Sequence, residues 1–132
     1  MKRILPLLLL STSALLAQKP TMPGAWTITG DVQGYPIKEN CTFTQAKDKI
    51  TGTCIVEGGK TYDTTVTVTD QKVVIVHASE YEGQALTLTY TATFNDKGEL
   101  SGTIDVAPLG YDGTFTAKKT EKTEKTEKPP AS

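Results

Sequence analysis

The sequence has little of what most catalytic sites are built from. It holds a single histidine, His77, and two cysteines, Cys41 and Cys54. One imidazole and one cysteine pair make no Cys/His cluster with metal-ligand spacing. No nucleophile, base and acid recur in a pattern that points to group transfer. No glycine-rich loop follows a strand pattern, which removes the phosphate-cradling motifs. An excess of cations is missing too. Residues 18–117 carry seven lysines against twelve acids, a charge of −5, which argues against nucleic acid and anionic membranes as partners. No apolar run approaches the ~20 residues of a membrane span, and no stretch repeats its apolar residues at helical spacing. These absences set an enzyme last among the function classes, with no metal and no cofactor expected. Haem ligation by His77 would rest on one imidazole alone, a minimal signal beside the plainer reading of a core histidine.

What is present divides into three segments. Residues 1–17 read as a secretory signal peptide, with Lys2 and Arg3, an apolar run from Ile4 to Leu10, then Ser11-Thr12-Ser13 and small residues at Ala14 and Ala17. Cleavage after Ala17 and cleavage after Ala14 both fit. No cysteine follows either cut, which argues against a lipid anchor. Residues 118–132 repeat Thr-Glu-Lys three times and then carry two prolines, with nothing apolar to bury before Ala131. They read as a disordered, solvated tail. The stretch 18–117 is long enough for one core and not for two. A signal peptide with two cysteines predicts a periplasmic or extracellular protein with one disulfide, and no membrane insertion once the signal is removed.

Within 18–117, threonine alternates with apolar residues in nearly every run, the pattern of half-buried strands. Turn signals recur at Gly34-Tyr35, Lys47-Asp48, Gly58-Gly59, Asp70-Gln71, Glu82-Gly83, Asn95 to Gly98 and Pro108 to Gly110. They separate strands over 26–33, 36–45, 50–57, 61–69, 72–81, 84–94, 99–107 and 111–118. Short connections make sequential strands antiparallel neighbours. The expected fold is therefore all-β, an eight-stranded antiparallel up-and-down barrel closed by strand one on strand eight. A β-sandwich of the same strands is the alternative. The hairpin about Lys47-Asp48 sets the register, because with those two residues as its loop Cys41 lies opposite Cys54.

Parity carried around the chain from that pair assigns one apolar, inward face. Inward glycines are expected opposite large partners: Gly52 against Phe43, Gly102 against Phe115, Gly113 against Ile104 and Gly30 against Glu39. One end is dry, with Trp26, Phe43, Ile50, Val68, Val73, Phe94, Leu100 and Ala117. The other end gathers Glu39, Tyr62, Thr64, His77, Ser79 and Tyr111. A plug at one end and a polar mouth at the other suit a small-ligand barrel, so these six are the candidate ligand-binding residues. An inward carboxylate at Glu39 needs a wet rim or partners, the nearest being Lys38, a sequence neighbour that points outward, and the tyrosine hydroxyls. A one-residue slip of the first turn would instead turn it outward. Val74, Val76 and Ala78 break the polar outer pattern of strand five. They read either as a protein-partner surface or as ordinary β-branched strand residues.

Gly24-Ala25-Trp26 opens the first strand, and the chain leaves the last at Lys118-Lys119. Here the sequence resembles the calycin superfamily of lipocalin-like barrels. Their signature is Gly-x-Trp on strand one with a basic residue of the last strand packed over the Trp. Gly24, Trp26 and Lys118 take those places. The resemblance covers Gly24 to Lys118 and is greatest to small secreted bacterial members, with Thr51-Gly52-Thr53, Gly102-Thr103 and Gly113-Thr114 recurring on strands. It implies an eight-stranded barrel, often with a small apolar ligand. A long first loop acting as lid and a helix after strand eight are both missing. One tryptophan is too few for an avidin-like biotin site. Over Gly24 to Val56 the chain is also similar to secreted metalloprotease inhibitors of Gram-negative bacteria, which insert an N-terminal segment into the protease. Gln18 to Pro23 would be that segment here. The sequence thus favours a non-catalytic barrel for a small apolar or amphipathic ligand, with a protein-interaction module as the alternative.

Overall fold

Alternation of threonine with apolar residues gives a strand one wet and one dry face, and a sheet of such strands buries its dry face by closing on itself. The computed structural model describes residues 21–120. They form β1 (Gly24–Val32), β2 (Tyr35–Ala46), β3 (Lys49–Val56), β4 (Thr61–Thr69), β5 (Lys72–Tyr81), β6 (Gln84–Phe94), β7 (Leu100–Ala107) and β8 (Tyr111–Lys119). Each strand pairs antiparallel with the next and β8 pairs with β1, so the expected up-and-down barrel is the observed one and the sandwich is excluded. The described residues contain no helix. Residues 1–20 and 121–132, which hold the signal-peptide reading and most of the tail, lie outside the described residues. Strand β8 runs on to Lys119, two residues into the stretch read as tail.

The disulfide joins Cys41 to Cys54, directly opposite across β2 and β3. Gly52 faces Phe43, Gly102 faces Phe115 and Gly113 faces Ile104, as parity requires. At Gly102 an added Cβ would run into the Thr91 carbonyl oxygen and the Ala92 Cα of β6, so the strands coil this tightly only around glycine. The outer face is laddered with threonine. Thr42 lies opposite Thr53 and Thr44 opposite Thr51, and the Thr29 and Thr116 hydroxyls share a hydrogen bond across the closing pair.

Three expectations need correction. The first hairpin turns at Gln33-Gly34, not Gly34-Tyr35. A two-residue turn of this hand needs positive φ at both central positions. Gln33 and Gly34 adopt 54° and 87°, which a bulky aromatic at the second position would resist. The pairing shifts by two residues, so Ile28 rather than Gly30 lies opposite Glu39, and Gly30 faces Ile37. A shift of two preserves parity, and Glu39 still points inward. Val68 does not join the dry plug. It sits at the end of β4 and is 40% exposed. The basic residue over Trp26 is Lys119, with Nζ 5.7 Å from the ring centroid. Lys118 pairs with Thr27 and is exposed, because strand alternation puts 119 and not 118 on the face of Trp26.

The dry end is closed from below. Met22, just before β1, is buried, and its carbonyl accepts a 2.8 Å hydrogen bond from Trp26 Nε1. The last residues of the segment considered for protease insertion are therefore folded onto the barrel. On β5, Val74 and Val76 are half-buried and Ala78 is exposed.

Candidate ligand-binding site

At the opposite end the barrel is open. A cavity of about 640 Å³ lies under the β1–β2, β3–β4, β5–β6 and β7–β8 turns. Its walls include Val32, Ile37, Leu86, Leu88, Val106 and Leu109. Tyr35, Tyr81 and Tyr111 stand at its rim, each about half exposed. Tyr35 and Tyr81 meet edge to face at 5.6 Å between centroids, an arrangement that holds both rings upright beside the opening. Glu39, Glu57, Glu80 and Lys38 are the charged residues of its lining. Lys60 reaches Glu80 at 2.8 Å, an exposed pair. It also sits 5.5 Å from the Tyr62 ring.

The floor is polar. Glu39 comes from β2, where it lies opposite Ile28 on one side and Val56 on the other. Its side chain is only 3% exposed. Oε1 lies 2.9 Å from His77 Nε2, and Oε2 accepts a 2.8 Å hydrogen bond from the Tyr90 hydroxyl. His77 Nδ1 donates to the Ala78 carbonyl at 2.6 Å. A carbonyl can only accept, which places a proton on Nδ1. A carboxylate facing Nε2 then calls for a second proton between the two groups. Burial works against charge on this imidazole. The Glu39 hydrogen bond, the Glu39 charge and the Ala78 carbonyl together outweigh it and hold His77 above its ordinary value. Tyr90 is driven far above the usual phenol value, first by burial and then by the Glu39 charge and hydrogen bond. It is a permanent donor. No buried side-chain nitrogen or oxygen among the described residues lacks a partner.

Rings pack around this polar belt. Tyr62 stacks on His77 at 5.9 Å, Tyr90 leans on it at 5.5 Å, and Phe115 meets Tyr90 edge-on at 5.1 Å. Thr64, opposite His77 on β4, is buried and donates to the Tyr62 carbonyl. Glu39 also lies within 4.8 Å of both cysteine sulfurs. Those sulfurs are bonded to each other and carry no thiolate, so the trio offers a metal no ligand set.

The six residues singled out from sequence therefore fall into two layers. Glu39, Ser79 and Tyr111 line the cavity. Tyr62, Thr64 and His77 are not among its walls, and of these His77 alone bonds to Glu39. Tyr90, Tyr35 and Tyr81 were not singled out. Parity puts Tyr90 on the inward face, and an inward Glu39 needs a hydroxyl partner, so that residue was within reach of the sequence. The sequence places Tyr35 in the first turn, whereas with Gln33-Gly34 as the turn it opens β2 and reaches the rim.

The sequence matches no protein-family profile and no curated protein. Solved structures share the fold. A redesigned β-barrel, mFAP1, bound to DFHBI, superposes with a TM-score of 0.56 at 14% identity, covering 74% of this chain and 94% of its own. A second redesigned β-barrel, b11L5F_LGL, gives 0.57 at 16% identity, covering 75% and 91%. At such identity the likeness is one of architecture.

Proposed function

We propose that this chain is a secreted, non-catalytic, lipocalin-like barrel that takes a small apolar or amphipathic ligand into its mouth. The observation that carries this reading is the open cavity of about 640 Å³ with apolar walls and a tyrosine rim. Its size is that of small-molecule sites generally. That one barrel of the same fold is bound to DFHBI supports the reading. Both ring nitrogens of His77 are engaged, by Ala78 and Glu39, which leaves neither free to act as a base on a substrate. A disulfide suits the periplasm or the extracellular space. The test is uptake of a neutral probe, N-phenyl-1-naphthylamine. Saturable one-site fluorescence enhancement is expected with the native chain and its loss with Leu88→Trp, which fills the cavity. A native chain that shows no enhancement sinks the reading.

A further inference from the structure

Two features of the mouth suit a cation. Its rim carries three tyrosine rings, whose faces attract cations, and its floor holds a carboxylate withdrawn from water, while Glu80 at the wall is already paired with Lys60. Glu39 accepts one hydrogen bond on each oxygen, and a carboxylate offers about four lone-pair sites. It can therefore take a further donor from the cavity side. Above it the walls are leucine and valine. We propose that the cavity binds a small amphipathic amine, with its ammonium on Glu39 and its apolar body against Leu86, Leu88, Val106 and Leu109. This deepens the ligand-binding reading and rests on it.

His77 makes the binding depend on pH. The groups facing it are Glu39 from β2, Tyr62 and Thr64 from β4, and Tyr90 and Leu88 from β6. Of the titratable ones, Glu39 alone can exchange His77 for another cation, since Tyr90 is held as a donor and Tyr62 meets His77 by ring stacking. When His77 is protonated, Glu39 is neutralised and an incoming ammonium meets a compensated pair. When His77 loses its proton, the ammonium replaces the missing charge. Proton and ligand thus compete for one carboxylate, and the competition is reciprocal.

The test is calorimetric titration of the full chain with octylammonium, 1-octanol and octanoate from pH 5.5 to 8.5. These share a chain and differ only in head group. At pH 8.5 octylammonium is expected to bind at least about tenfold more tightly than octanol, the scale of one charge-assisted hydrogen bond. The advantage should shrink toward pH 5.5, while octanol binding stays flat. In Glu39→Gln the advantage and its pH dependence should both vanish with octanol binding retained. The measurements on the native chain stand even if that variant does not fold. Octanol bound as tightly as the amine at every pH overturns the amine assignment and leaves the ligand-binding reading intact. An amine preference that survives in Glu39→Gln also overturns it, by placing the ammonium elsewhere. No binding of any of the three overturns both.

Discussion

His77 Nε2 lies 2.9 Å from Glu39 Oε1 in the middle of the barrel, while Nδ1 of the same ring lies 2.6 Å from the Ala78 carbonyl. Both ring nitrogens thus face acceptors, and Glu39 is the charged one of the two. Glu39 joins β2 to β5 through His77 and to β6 through Tyr90. These strands are not neighbours of β2, so the carboxylate crosses the interior rather than following the sheet.

Removing that hub should cost more than removing any one of its partners. Glu39→Ala leaves an imidazole and a phenol buried without an acceptor, and stability is expected to fall by about 3 kcal/mol, the scale of a broken buried pair. Tyr90→Phe removes one donor and should cost about 2 kcal/mol or less. Urea unfolding with unchanged m-values measures both. Equal losses would mean that Glu39 is not the hub.

Stability should fall on the alkaline side. His77 is held above its unfolded value of 6.5, so the folded state binds its proton more tightly than the unfolded chain. The resulting stabilisation is complete below the unfolded value and is lost as pH rises through the higher folded one. The urea midpoint at neutral to mildly alkaline pH should therefore lie below that at pH 6. In His77→Gln this slope should disappear. A midpoint that climbs with pH over the same range would contradict the arrangement.

Met22 should act as the stopper of the dry end. It is buried and accepts the hydrogen bond of the single tryptophan. Met22→Ala is expected to cost about 2 kcal/mol, the low end for large-to-small core changes. It should also shift Trp26 emission to the red and make it quenchable by acrylamide. Unchanged emission would show that the barrel end is sealed without Met22.

The disulfide should matter through the unfolded chain. Cys41 and Cys54 are separated by 13 positions, and closing a loop of that order stabilises by roughly 3 kcal/mol. The Cys41→Ala/Cys54→Ala variant should keep the barrel's circular dichroism in the far ultraviolet. Its urea midpoint should fall accordingly. Loss of the fold without denaturant would show that the pair acts in the core as well as on the chain entropy.

Much of this architecture was written locally. Strand number, neighbour pairing and inward parity depend on period-two alternation and on turn residues a few positions apart. Cys41 could be set opposite Cys54 because one two-residue loop lies between them. The same local logic failed at the first turn, where choosing between Gln33-Gly34 and Gly34-Tyr35 required backbone angles. It failed again at Lys118, where one position decides which side of the sheet a side chain takes. Val68 shows the limit of parity: it names a face, but burial at a strand end depends on what else reaches it.

By itself the sequence determined that the chain makes eight strands, that they pair in order, and that His77 takes the inward face, while the direction of Glu39 hung on the first turn. Each of these follows from contacts between near neighbours in the chain. Only the tertiary structure decided that Glu39, His77 and Tyr90 form one hydrogen-bonded group, because β2 faces β5 and β6 across the barrel interior and no single turn relates its register to theirs. It also decided that the wet end encloses open space. Whether inward side chains fill a barrel depends on where all of them meet, and that sum is fixed by closure of β1 on β8.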